Sequence, residues 1–193
     1  MFEDSRSEAS IASIDNFQRG QAATACLVRM ARLVDDSRVL SEFPRIAQLV
    51  KEIEDYSVSR SAGIQVEIDY RALSSRVREF LGPVDDPHEE LPGIGAWVMD
   101  IVSLADCVLG VWEGGSSTSE ECFEAMVSSY SLASRIEDES EDSEVSALGD
   151  LEFQKQLDDV RRMKEGSPWG QVLQESRSIA DDYLGWLRKV PVS

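Results

Sequence analysis

Residues 92 to 115, PGIGAWVMDIVSLADCVLGVWEGG, constrain this chain more than any other stretch. Ile94, Trp97, Val98, Ile101, Val102, Leu104, Ala105, Val108, Leu109, Val111 and Trp112 put apolar side chains at almost every helical angle. A helix apolar nearly all round is one that neighbours cover on every side. Pro92 suits a first helical turn and Gly114-Gly115 a stop. At about 1.5 Å per residue the helix would be roughly 33 Å long, enough to cross a small domain. A membrane span needs about 20 apolar residues and is the alternative. Asp100 and Asp106 lie inside the run, however, and no Lys or Arg anchors either end. A carboxylate at mid-bilayer costs several kcal/mol, so the expectation is the central helix of a bundle and no membrane partner.

The rest of the chain supplies helices to cover it. Residues 1–10 read as a polar tail and 11–190 as one helical domain. Ile14, Phe17, Ala22, Ala25, Cys26, Met30 and Leu33 recur at three- and four-residue spacing, predicting a helix from Ile11 to about Val34, with Gly20 a point where it could divide. Phe43, Ile46, Leu49, Val50 and Ile53 mark a second helix starting near Ser41, and Val66, Tyr70, Leu73, Val77, Phe80 and Leu81 a third. QVEIDY, residues 65–70, alternates like a strand but has no partner strand. After the central helix, Thr118 and Glu121 form a capping box for a helix running to Ile136, which a short connection makes its antiparallel neighbour. Leu148, Leu151, Leu157, Val160 and Met163 mark a sixth helix; a seventh, capped by Ser167, runs to about Leu187 before Pro191. The expected fold is all-α, a single-domain bundle of about seven helices.

Charge is distributed unevenly. The net charge is −18, and between Glu79 and Glu152 there are 19 acidic residues against one basic residue, Arg135. The other 18 acids (37 minus 19) face 18 bases (19 minus 1), so the surplus resides in one block. A one-sided field steers toward something positive, and it disfavours nucleic acid, whose phosphates need a basic face. The start of the chain, MFEDSRSEAS, lacks the pattern of an export signal, so the expected location is cytoplasmic, with Cys26, Cys107 and Cys122 as reduced, packed thiols.

Motifs for chemistry are scarce. His88 is the sole histidine, in the turn-like PVDDPHEEL, which removes a three-histidine zinc site and the paired E-x-x-H of a di-iron bundle. No H-E-x-x-H, G-x-S-x-G or G-x-x-x-x-G-K-[ST] occurs. The six acids of residues 137–144 lack the order of an EF-hand loop. No catalytic residue, metal ligand or cofactor is assigned. Asp100 and Asp106 point about 240° apart on a helix and do not form a pair unaided. Each requires solvent or a basic partner, such as Arg29, Arg32 or Arg76, and either could line a pocket.

Four pieces also carry a resemblance: FQRGQAATACLVRM, Phe17 to Met30, with its Ala-Cys-x-x-Arg core; the apolar helix opened by Pro92-Gly93; the Glu-rich partner helix Glu120 to Ile136; and the Asp-x-Glu-x-Gln of Asp150 to Gln154. Across residues 15–165 the order of these features resembles the YjaG-like family of uncharacterised bacterial all-helical proteins. That resemblance implies a helical fold and no established activity. Small helical proteins also occur among bacterial toxin-neutralising partners, an association only.

Three functional readings follow. The leading one is a non-enzymatic acidic module that docks a basic protein, of the immunity or antitoxin type, such as the inhibitor of a nuclease toxin. Its contacts would be Asp85, Asp86, Glu89, Glu90, Glu120, Glu121 and Glu124, with Glu137, Asp138, Glu139, Glu141 and Asp142 behind them. The second is a ligand-binding or enzymatic protein with a pocket at Asp100 and Asp106, marked by a carboxylate of shifted pKa. The third is a structural homo-oligomer that covers the central helix only on association.

Overall fold

The apolar run forms α6, Ile94–Glu113, in a computed structural model that describes residues 4–66, 69–81, 94–114, 118–140 and 147–190. Eleven of its side chains or backbone positions are buried, from Gly95 through Trp112. Its length and composition would suffice to cross a membrane, yet α2 (Asn16–Ala31), α4 (Pro44–Ser61), α5 (Tyr70–Leu81) and α7 (Thr118–Glu139) of the same chain pack around it. α6 and α7 run antiparallel, as their short connection requires: Asp100 meets Arg135 near one end and Gly110 meets Glu121 near the other.

α2 shares the centre. Every residue from Ala22 to Ala31 is buried, and α4, α6, α7, α8 (Leu148–Lys164) and α9 (Trp169–Leu187) all pack on it. Small side chains at Ala22, Ala23 and Ala25 let the neighbours approach closely. The chain breaks before α2, at Ser13-Ile14-Asp15, and not at Gly20. Asp15 accepts a hydrogen bond from the Gln18 N–H while the Gln18 side chain accepts from the Asp15 N–H, a reciprocal cap that starts the helix there. Gly20 is needed for a close approach: a Cβ on it would lie 2.5 Å from the Trp112 ring.

Two short helices raise the count above seven, to nine among the described residues. Residues 4–10, expected to be tail, belong to α1, Asp4–Ala12, whose Ser7 and Ile11 are buried against α7 and α8. The polarity of the segment hides this, because only one narrow stripe of it faces inward. After α2, a 3-10 turn over Arg32–Asp35 leads into α3, Ser37–Glu42, capped by Asp36. Phe43 then breaks the helical dihedrals and Pro44 opens α4, so Ser41 ends one helix and does not begin another. Arg38 fixes this corner: it pairs with Asp36 at 2.8 Å and donates to the carbonyls of Leu187 and Val190, which lie at the free end of α9. At the other end of α9, Pro168 takes the N-cap position and Ser167 makes no capping bond. No strand is present among the described residues, and residues 67–68 of QVEIDY lie outside them.

Candidate functional site

Among the described residues, a dense polar cluster lies inside the molecule. Arg29, on α2, is 0% exposed and uses all five of its N–H donors. Nε donates to both oxygens of Glu152 at 2.8 and 3.1 Å, and Nη2 to Glu152 Oε1 at 2.7 Å and Cys26 Sγ at 3.6 Å. Nη1 donates to Asp159 Oδ2 at 2.7 Å and Ser176 Oγ at 3.2 Å. Glu152 also accepts from Ser129 of α7, Gln156 of α8 and Tyr183 of α9. Lys155 Nζ lies 3.0 Å from Asp159 Oδ1 and 3.0 Å from Glu175 Oε2, so it links the buried pair to the surface, where Arg162 also pairs with Glu175. Burial alone would depress the Arg29 pKa; Glu152 and then Asp159 outweigh it and hold the guanidinium firmly charged. Burial pushes the Tyr183 phenol well up, with the Glu152 charge adding to it.

This network answers where Arg29 goes, and it is not to Asp100 or Asp106. Glu152, Gln156 and Asp159 fall at i, i+4 and i+7, one face of α8. That face also carries Leu148, Phe153, Val160 and Met163, whereas Leu151, expected inward, is 55% exposed. A polar triplet at helical spacing was the available signal; hydrophobic periodicity alone reads it as solvent-facing. With Arg29, Cys26, Ser129, Glu152 and Ser176 all at 0 to 1% exposure, the cluster presents no surface to a substrate and acts as internal scaffolding.

Among the described residues, most acids of the 79–152 block lie on α6 and α7. Asp106, Glu120, Glu121 and Glu124 gather where the end of α6 meets the start of α7. Burial raises the Glu121 carboxyl, with repulsion from Asp106, Glu120 and Glu124 adding to it and Arg78 of α5 opposing. Burial likewise raises Asp106, against Arg78. At the other end Asp100 is tied to Arg135 at 2.9 Å. Glu137 accepts the backbone N–H groups of Ala147 and Gly149 at 2.7 and 3.4 Å, so it caps the start of α8 from outside. Burial and the nearby Asp100 and Asp138 charges raise Glu139, against Arg135. Asp138 is exposed. Asp85, Asp86, His88, Glu89, Glu90, Glu141 and Asp142 lie outside the described residues.

The cysteines form no disulfide among the described residues. Burial pushes Cys107 and Cys122 up to about 12 and Cys26 well up too, which leaves these thiols poor nucleophiles. No group of three or more His, Cys, Asp or Glu side chains is placed to hold a metal ion among the described residues.

Two clefts open beside α9, and neither involves Asp100 or Asp106. One, between α8 and α9, has about 450 Å³ and is lined by Leu151, Ile179, Tyr183 and Trp186 with Gln154, Lys155, Asp158 and Asp182 around them. The other, about 440 Å³, lies between α2 with its following 3-10 turn, α4 and α9, and contains Glu54, Asp55 and Arg177. Comparisons with protein-family models, curated proteins and solved structures return no match for this chain.

Proposed function

We propose that the protein is a non-enzymatic docking module that binds a basic protein partner through the acidic α6–α7 edge. In its narrower form it is an immunity-type inhibitor covering the cationic cleft of a toxin such as a nuclease. One observation carries this reading: Asp106, Glu120, Glu121 and Glu124 crowd together with Arg78 as their opposing cation, and Glu121 is held above its usual range. Like charges gathered at a surface destabilise the free protein, and a partner's Lys and Arg side chains relieve that repulsion on docking. Glu120 and Glu124 are exposed and within reach of such a partner. Glu137, engaged as a helix cap, and Asp100, paired with Arg135, contribute less to the contact.

The test compares the wild-type chain with Glu120→Lys/Glu124→Lys as bait in host-cell extract, at low and high ionic strength. The expected result is capture of a basic protein that weakens steeply with salt. The purified partner should then bind the reversed variant at least about tenfold more weakly, mostly through slower association. Binding indifferent to both salt and charge reversal refutes the reading.

A further inference from the structure

α8 packs chiefly on α7 and α9 chiefly on α2, so these consecutive helices touch each other little and leave a groove of about 450 Å³ between them. Both walls follow one spacing, i, i+3, i+4 and i+7, from Leu151 to Asp158 on α8 and from Ile179 to Trp186 on α9. That is the row of side chains a helix turns toward a packing neighbour, and among the described residues no helix of this chain fills the place. Leu151 is 55% exposed, and Ile179 and Trp186 are only partly covered. Leu151 projects while Ile179 and Trp186 flank a recess, so one face carries both a knob and a hole. We propose that this face pairs with itself: a second copy of the chain docks its α8–α9 hairpin here, the Leu151 of each copy entering the groove of the other across a two-fold axis.

Charge decides the occupant. Two chains of net charge −18 repel, but salt at physiological strength limits that repulsion to charges within about 8 Å of each other. Residues 148–190 hold 8 acids against 7 bases, a net of −1 (7 minus 8), so the surplus lies elsewhere. Several of these charges meet within the hairpin itself: Asp158 pairs with Arg161, and Lys155 and Arg162 both pair with Glu175. Contact through the α6–α7 edge would set acids against acids. The groove therefore fits an electrically balanced surface with a projecting apolar side chain, and the hairpin is such a surface. A two-fold interface needs a patch complementary to itself, which a knob beside a hole provides. α8 has 17 residues and is about 25 Å long, and two helices side by side are about 20 Å across. Pairing would cover about 500 Å² per copy, the size of a weak, reversible dimer.

The test is sedimentation equilibrium on the full chain, up to about 200 µM and at about 0.05 M and 0.5 M salt. The mass should rise with concentration toward twice the chain's 21.5 kDa, with a dissociation constant of about 10–100 µM. Salt should tighten the association at least about threefold, because it screens the repulsion between the two surpluses. Leu151→Glu, at a position too exposed to decide folding, should abolish association, and Leu151→Ala, which removes only the knob, should weaken it about tenfold. Ile64→Glu, 58% exposed but outside this face, should leave it unchanged. A constant monomer mass at the highest concentration and salt overturns the proposal. So does association that survives Leu151→Glu, that Ile64→Glu weakens equally, or that weakens with salt. Docking of a basic partner should weaken with salt and be lost with Glu120→Lys/Glu124→Lys, whereas the dimer should survive both, so either reading can fail alone.

Discussion

Replacing Arg29 by Met strands two carboxylates in the interior while nearly preserving volume. Glu152, 0% exposed, would lose its three contacts with the guanidinium and keep Ser129, Gln156 and Tyr183. Asp159 would lose its 2.7 Å bond and keep Lys155. Breaking a buried pair by removing one partner costs about 3–5 kcal/mol, because the remaining charge has no water to turn to. Against a total stability of about 5–15 kcal/mol this is a fifth or more. For a chain of this size it should lower the melting temperature by about 6–20 °C. Urea unfolding followed by circular dichroism measures the loss. Arg29→Met/Glu152→Gln adds the decisive arm: removing the stranded charge should recover about 1–3 kcal/mol relative to the sum of the two single changes. A loss under about 1 kcal/mol for Arg29→Met, or simple additivity of the pair, would refute the account of a dry, mutually dependent network.

Gly20→Ala should destabilise by about 1–3 kcal/mol. The new methyl meets Trp112 at 2.5 Å, and that ring is pinned by Phe17 at 5.8 Å and by its bond to Thr24. A change in tryptophan fluorescence should accompany it, and an unchanged spectrum with unchanged stability would be contrary evidence. Glu54→Gln should alter the pH dependence of stability. The raised carboxyl stabilises the fold below pH 4.5, where both states are protonated, and loses that contribution as pH rises through about 7. The variant should therefore exceed wild type by about 2 kcal/mol at pH 8, allowing for partial exposure, and converge with it near pH 4. A gap independent of pH in urea midpoints would show that Glu54 does not titrate in this way.

Helices with one dominant apolar stripe were legible in the sequence, and helices with a mixed face were not. Ile53, Val50 and Leu49 mark the inner side of α4, and α6 with its antiparallel partner follows from composition and a short connection. α1 escaped notice because its burial rests on Ser7 and Ile11 in a polar run. α8 is legible in part: Leu148, Val160 and Met163 are buried as their spacing predicts, but Leu151 is exposed, and hydropathy gives no sign that Glu152, Gln156 and Asp159 share the inner face. What makes the polar face the buried one is Arg29, more than 120 residues earlier, and no local window contains it. Glu54 was invisible for a similar reason: its neighbours come from three separated elements. The acidic surplus was legible as a number, but its division among a helix cap, a buried scaffold and an open edge needed coordinates.

Because α8 carries apolar residues on two sides, it has two plausible ways to lie down on the bundle. Rolling it to sink Leu151 would swing Glu152 and Asp159 away from Arg29 and abandon a buried guanidinium on α2. The arginine thus acts as a key that admits one rotational setting of α8 and, through Ser176 and Tyr183, one of α9. The orientation of both outer helices is dictated from the centre outward, by a charge with a single place to go.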